Sequence, residues 1–139
     1  MSIKSLPSME HSFRINLKGE ETGKIFEGDF VYKRPSIRTD SEISKTKAML
    51  DGGMNLDEDT QFIHKVLATL KHTIQNCPKW WEDSDFGFEL YDLNVVFDVY
   101  KETQKFEKEW RDKVWVEESP EETKKPGQAK EVSKAAKEA

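Results

Sequence analysis

The sequence predicts a small α+β domain in which an N-terminal β-hairpin packs on three helices. Apolar and polar side chains alternate near the N-terminus, apolar residues recur at spacings of three and four further along, and turn or capping residues separate these segments. A length of 139 residues allows one domain with extensions. We expect a flexible lead-in at 1–10, the domain at 11–116, and a disordered charged tail at 117–139, which has no aromatic residue.

Two extended runs predict the hairpin. Side chains alternate over residues 13–17, and the second run, residues 24–34, places three aromatic residues and Gly28 on one face. The polar segment 18–23 between them contains two glycines and predicts the turn. Gly28 interrupts the aromatic face, which predicts either a bulge or a close backbone approach. Because an isolated hairpin is marginally stable in water, we expect helices to cover this face.

Helix signals follow the hairpin. Residues 39–42, Thr-Asp-Ser-Glu, match a capping box and predict the start of a first helix, which Gly52-Gly53 should end. Residues 55–58 predict the start of a second helix with one continuous apolar stripe. We expect that helix to end at Cys77, since Pro78 disfavours helical geometry at the preceding residue.

The third helix, predicted over residues 92–115, has an unusually wide apolar sector. One stripe consists of Leu93, Val96, Phe97 and Tyr100, and the other of Val95, Val99, Phe106 and Trp110. Two adjacent stripes exceed what one neighbouring element covers. The helix is therefore either central in the fold or partly reserved for a partner.

Four aromatic residues are candidates for partner binding: Trp80, Trp81, Phe106 and Trp110. Tryptophan is over-represented among the residues that dominate binding energy at protein interfaces. On an extended segment, adjacent Trp80 and Trp81 would point to opposite sides, one inward and one outward. The alternative is that both pack over the hairpin and helices, and the same two possibilities apply to Phe106 and Trp110.

Composition argues against several functional classes. Lys and Arg number 22 against 27 Asp and Glu, giving a net charge of −5, and the basic residues are interleaved with acidic ones. Nucleic-acid binding would require a basic stripe. No apolar run approaches the roughly 20 residues of a membrane span, and no signal peptide is recognisable, so we expect a cytoplasmic protein without membrane contact.

Motifs for chemistry are missing. His64 and His72 are spaced i, i+8, which does not stack them on one helix face, and Cys77 follows a predicted helix C-terminus that disfavours a thiolate. Asp83, Asp85 and Glu89 lie beside tryptophans as in glycosidases, but a glycosidase cleft usually needs a larger scaffold. We therefore expect a non-enzymatic protein with no metal and no cofactor.

The order of these segments resembles the tail assembly chaperones of long-tailed, siphovirus-like bacteriophages. The resemblance spans residues 13–115 and rests on Pro78-Lys79-Trp80-Trp81 after the long helix, on the segment 90–100 (LYDLNVVFDVY), and on the closing segment 106–111 (FEKEWR). It implies a chaperone in the host cytoplasm that binds the tape-measure protein and helps to recruit tail-tube subunits, with self-association possible. The alternative function is a structural protein of the virion, such as a connector or tail component.

Overall fold

A computed structural model describes residues 6–118, with side chains described as far as residue 114. It confirms the α+β class and adds one strand and one short helix to the predicted elements. The elements in chain order are β1 (Glu10–Lys18), β2 (Ile25–Lys33), α1 (Ile37–Asp51), α2 (Glu58–Thr73), β3 (Ile74–Asn76), α3 (Lys79–Asp83) and α4 (Leu93–Glu118). Of the predicted disordered tail at 117–139, residues 117 and 118 continue α4, and the rest lies outside the described residues.

The chain divides into two compact units. Met9–Phe106 forms the larger unit, which contains the sheet, the first three helices and the N-terminal part of α4. The second unit consists of the two chain ends, up to Ser8 and from Glu107 onward. The larger unit contains three of the four candidate partner-binding residues, Trp80, Trp81 and Phe106.

The hairpin forms as predicted and belongs to an antiparallel sheet of order β1-β2-β3. Gly23 adopts a φ of +75° in the turn, a conformation that glycine reaches without strain. The predicted end of the second helix at Cys77 is wrong, because α2 stops at Thr73 and residues 74–76 pair with β2 as β3. Long-range hydrogen bonding to β2 outweighs the continuing helical pattern, and β-branched Ile74 fits a strand.

Gly28 is a site of close approach. The ring of Pro78 occupies the space where a Cβ on Gly28 would lie, and the only irregularity in the pairing of β2 falls at Val31 and Tyr32, between β2 and β3. Of the two alternatives for Gly28, the structure therefore supports the close approach. A side chain at this position would push the segment that leads into α3 away from the sheet.

The core lies between one face of the sheet and the helices α2, α3 and α4. Buried side chains from these elements form one cluster: Ile15, Phe26, Phe30, Val66, Leu67, Leu70, Trp81, Val95, Val96 and Val99. The opposite face of the hairpin is mostly polar, and Arg14 there bridges Glu27 at 2.7 Å and Asp29 at 3.0 Å. Among residues 6–114, the core helices therefore cover only one face of the hairpin.

Helix α1 differs from its predicted start. It begins at Ile37, and the Ser36 hydroxyl accepts a hydrogen bond from the Thr39 backbone N–H at 3.2 Å, so the capping box at residues 39–42 is wrong. Ser36 has the extended backbone that a cap needs, whereas Thr39 already lies within the first turn. The predicted end is confirmed, since Gly52 closes the helix with a φ of +64°.

Helix α1 has no fully buried residue, and polar side chains connect it to α2. Asp51 accepts hydrogen bonds from Lys47 Nζ and His64 Nδ1, both at 2.7 Å, and Thr46 Oγ1 lies 2.7 Å from His72 Nε2. Lys47 and His64 lower the pKa of Asp51 below its usual value. The two histidines of α2 thus take part in helix pairing.

Candidate protein-interaction surface

Trp80 and Trp81 both pack against the hairpin, which is the second of the two alternatives considered for them. They lie on the helical turn α3, and Trp81 is 0 % exposed with its ring 5.4 Å from Phe30 in an edge contact. Trp80 is half-buried, packs edge-on against Phe26 at 5.0 Å, and donates its indole N–H to the carbonyl of Glu27 at 3.0 Å. Trp81 has no surface to offer a partner in this fold, because α3 replaces the extended segment that would have separated the two rings.

Phe106 and Trp110 are both half-buried. Phe106 stacks on His11 with ring centroids 4.7 Å apart and contacts Tyr32 edge-on at 5.9 Å. In the unit formed by the chain ends, the Trp110 indole donates to the carbonyl of Pro7 at 3.3 Å. Each ring therefore makes a contact within the chain and retains part of its surface.

The two predicted stripes of α4 have different environments. Val95 and Val99 of the second stripe are fully buried, as is Val96 of the first. Leu93 of the first stripe is 40 % exposed, and Phe97 and Tyr100 are only half-buried. Helix α4 is therefore both central in the fold and incompletely covered.

Phe62 of α2 extends this uncovered part of α4. It is 46 % exposed and lies 5.8 Å from the ring of Phe97 and 6.0 Å from that of Tyr100. Burial raises the pKa of the Tyr100 hydroxyl. We call Phe62, Leu93, Phe97 and Tyr100 the Phe62 strip. Sequence periodicity identified its α4 members, but the contribution of Phe62 depends on how α2 and α4 pack.

Two open depressions adjoin the strip at the start of α4. One, of about 470 Å³, is lined by Leu93 and Phe97 together with Glu20, Asn94, Asp98 and Lys101. The other, of about 540 Å³, is bounded by the hairpin turn and by Tyr91, which is 80 % exposed. The strip thus continues into a concave, largely acidic border.

Asp92 holds the hairpin turn against the start of α4. Its Oδ1 accepts the backbone N–H groups of Glu21 and Thr22 at 2.6 and 2.9 Å, and its Oδ2 accepts the Thr22 hydroxyl at 2.6 Å. Its carboxylate also fills the space where a Cβ on Gly19 would lie. Burial raises the pKa of Asp92, but the hydrogen bonds from Thr22 and Glu21 outweigh burial and lower that pKa below its usual value.

Asn94 completes this attachment. Its side-chain amide donates to the carbonyl of Lys18 at 3.0 Å, and its Oδ1 accepts the backbone N–H of Glu20 at the same distance. Asp92 and Asn94 together hold the hairpin turn in place, and Glu20 of this turn lines both depressions. Sequence reasoning missed this pair; the only local signal was two polar residues flanking Leu93 where the apolar stripe begins.

The groups considered for chemistry are dispersed. Burial and the nearby carboxylate of Glu82 raise the pKa of the Cys77 thiol, which disfavours a nucleophilic thiolate. Asp83 and Glu89 line a depression of about 320 Å³ beside Trp80, whereas Asp85 is not among its lining residues. Among residues 6–114 no three His, Cys, Asp or Glu side chains cluster as metal ligands would.

Compared with known proteins, the chain matches no family model, no curated protein and no solved structure at a significant level. Within the described part of the chain, no helix has the length and apolar character needed to cross a bilayer. The Phe62 strip and its acidic border therefore form the candidate functional site.

Proposed function

We propose that this chain is a non-enzymatic phage tail assembly chaperone that binds an amphipathic helical segment of the tape-measure protein on the Phe62 strip. It would act in the host cytoplasm and help to recruit tail-tube subunits. The family resemblance supplies the identity of the client. The observation that carries the binding mechanism is the incomplete burial of Leu93, Phe97 and Phe62 beside a fully packed core.

The strip suits reversible binding. Phe62 is 46 % and Leu93 is 40 % exposed, whereas Phe97 and Tyr100 are half-buried, so covering the strip offers at most on the order of 1 kcal/mol per residue. The sum, at most about 4 kcal/mol, only reaches the lower end of the roughly 4–15 kcal/mol lost on association. A client therefore needs contacts beyond the strip for stable binding, and it can be released when assembly proceeds.

Charge favours a neutral or basic client segment. Glu20 and Asp98 border the strip with Lys101 as the nearby cation, and the whole chain has a net charge of −5. This excess of negative charge would also keep a complex with an apolar client soluble. Trp80, Phe106 and Trp110 retain part of their surface and remain candidates for further partner contacts.

Co-expression with the tape-measure protein of the same phage tests the proposal. The double variant Phe62→Ser/Leu93→Ser should lower the soluble fraction of the tape-measure protein, because it removes the two most exposed members of the strip. A matched control, Ile37→Ser/Met49→Ser, changes two strongly exposed apolar residues on α1 and should leave client solubility unchanged. Circular dichroism establishes that both variants remain folded.

Two outcomes would contradict the proposal. Equal client solubility with wild type and with the strip variant would exclude the strip as the binding surface. Detection of the protein in purified mature particles would instead favour the alternative, a structural component of the virion, since an assembly chaperone should be absent from them.

A further inference from the structure

The depression beside Trp80, which we call the Trp80 pocket, has a fixed aromatic wall. Its volume is about 320 Å³, at the lower end of the range of ligand sites, and Trp80, Phe26 and Tyr91 line it. An edge contact with Phe26 at 5.0 Å and the hydrogen bond to the Glu27 carbonyl at 3.0 Å hold the Trp80 ring in place. Because this ring is already positioned by the fold, little ordering is lost when a ligand packs against it.

The polar lining of the pocket carries an excess of negative charge. Three carboxylates line it, those of Asp83, Glu89 and Asp92, together with the ammonium group of Lys24. Lys24 interacts electrostatically with Asp92, which also accepts hydrogen bonds from the hairpin turn, so this pair is engaged within the chain. Asp83 shares only a surface ion pair with Lys79 at 3.4 Å, of a kind that contributes little, and Glu89 is exposed. The charges of Asp83 and Glu89 are therefore available to a ligand.

This combination of aromatic rings and carboxylates favours an organic cation. The π face of an aromatic ring attracts a cation, and a neighbouring carboxylate neutralises its charge. Among cationic side chains, arginine fits such a lining best. Its planar guanidinium stacks on aromatic rings, donates hydrogen bonds to carboxylates in a fork, and is more weakly hydrated than an ammonium group.

The open form of the pocket favours an arginine that belongs to a polypeptide over a free small molecule. Cation–π contacts and ion pairs are both weak where water has access to them. A free cation would therefore leave readily. A side chain of a polypeptide that is already bound nearby re-binds at a high effective concentration, so weak contacts are sufficient to hold it.

The pocket is continuous with the Phe62 strip. Thr22 and Tyr91 line both the Trp80 pocket and the depression of about 540 Å³. Leu93 and Asn94 line both that depression and the one of about 470 Å³ beside the strip. The three depressions therefore adjoin in series around the start of α4, and a polypeptide on the strip can extend along them to Trp80.

We propose that the Trp80 pocket binds an arginine side chain of the polypeptide that occupies the Phe62 strip. This inference rests on the proposed function for the identity of that polypeptide, the tape-measure protein, whereas the preference of the pocket for arginine does not depend on it. The arginine supplies one of the contacts beyond the strip that stable client binding requires.

Titration of the isotope-labelled full chain with N-acetylargininamide, followed by NMR at constant ionic strength, tests the pocket directly. The probe should shift the Trp80 indole resonance saturably, and its neutral isostere N-acetylcitrullinamide should not. Asp83→Asn/Glu89→Gln should raise the dissociation constant about threefold or more, because it removes both available charges. The matched control Asp40→Asn/Glu42→Gln removes the same charge from the exposed surface of α1 and should leave binding unchanged.

The outcomes separate this inference from the proposed function. Absence of a saturable shift at Trp80, equal shifts with the citrulline probe, or an equal effect of the α1 variant overturns the arginine site, whatever the client is. In co-expression, Asp83→Asn/Glu89→Gln should lower the soluble fraction of the tape-measure protein. A client that depends on the strip but not on the pocket overturns this inference and leaves the proposed function standing. A client indifferent to both contradicts the proposed function, and the titration alone then decides whether the pocket takes arginine.

Discussion

Gly28→Ala provides the sharpest test of how the sheet packs against the segment that leads into α3. The added Cβ would overlap the ring of Pro78, and its distance to Pro78 Cβ would be only 2.8 Å. The proline ring is locked to its own backbone and cannot rotate away. Relief therefore requires β2 and residues 78–81 to move apart.

The expected loss of stability follows from two opposing effects. Overpacking of this kind costs about 1–3 kcal/mol, and replacing glycine by alanine inside a strand returns about 0.5–1 kcal/mol. The net destabilisation should be about 1–2 kcal/mol. For a domain of this size that lowers the melting temperature by about 4–8 °C.

Gly52→Ala is a matched control for this measurement. Nothing lies within 4 Å of a Cβ built at Gly52, but its φ of +64° strains any other residue. Its cost should be about 1 kcal/mol, similar in size but local to the end of α1. Thermal unfolding followed by tryptophan fluorescence separates the two, because only Gly28→Ala should displace Trp80 and Trp81 and shift the native emission. A Gly28→Ala protein as stable as wild type, with unchanged emission, would refute the packing argument.

Three further predictions concern single polar groups. Because the pKa of Asp92 is lowered on folding from about 3.8, its carboxylate stabilises the fold fully above that pH and progressively less as the pH falls below it. Asp92→Asn should therefore be less stable at pH 7 and lose less stability between pH 5 and pH 2 in urea titrations; an unchanged acid profile would contradict this. Ser36→Ala should cost about 1 kcal/mol in urea unfolding as a lost helix cap, whereas Glu42→Ala should change stability by only a few tenths. A larger loss of stability for Glu42→Ala than for Ser36→Ala would instead support the capping box at residues 39–42. Cys77 should react with iodoacetamide at pH 8 more slowly in the native chain than in urea, since burial and Glu82 raise its pKa; equal rates would contradict a protected thiol.

Local periodicity predicted the hairpin and the three long helices because each has a signal within its own segment. Strand β3 could not be predicted in this way. Residues 74–76 continue the helical spacing of α2, and their strand conformation depends on pairing with Val31 and Tyr32, more than 40 residues away. The start of α1 was misplaced because two serine- or threonine-led signals compete, and Ser36 alone has the cap geometry.

The candidate surface was predictable in part. The two apolar stripes of α4 were visible from spacing, but which stripe is buried depends on where the sheet and α2 pack. Phe62 continues the apolar spacing of α2 in the sequence, which predicts a buried residue, but it is 46 % exposed beside Phe97. Trp81 shows the opposite case, since a residue type typical of interfaces is fully buried under the local geometry of α3.

The polar attachment of α1 has a consequence for how the molecule opens. Since α1 buries no residue completely, its detachment exposes little of the apolar cluster and breaks mainly the pairs at Asp51 and His72. Segments of this kind exchange their amide hydrogens through small local openings that leave the rest of the fold intact. We therefore expect the amide hydrogens of α1 to exchange before those of the sheet and of α2 and α4, and we expect the outward face of α1 to tolerate changes in sequence.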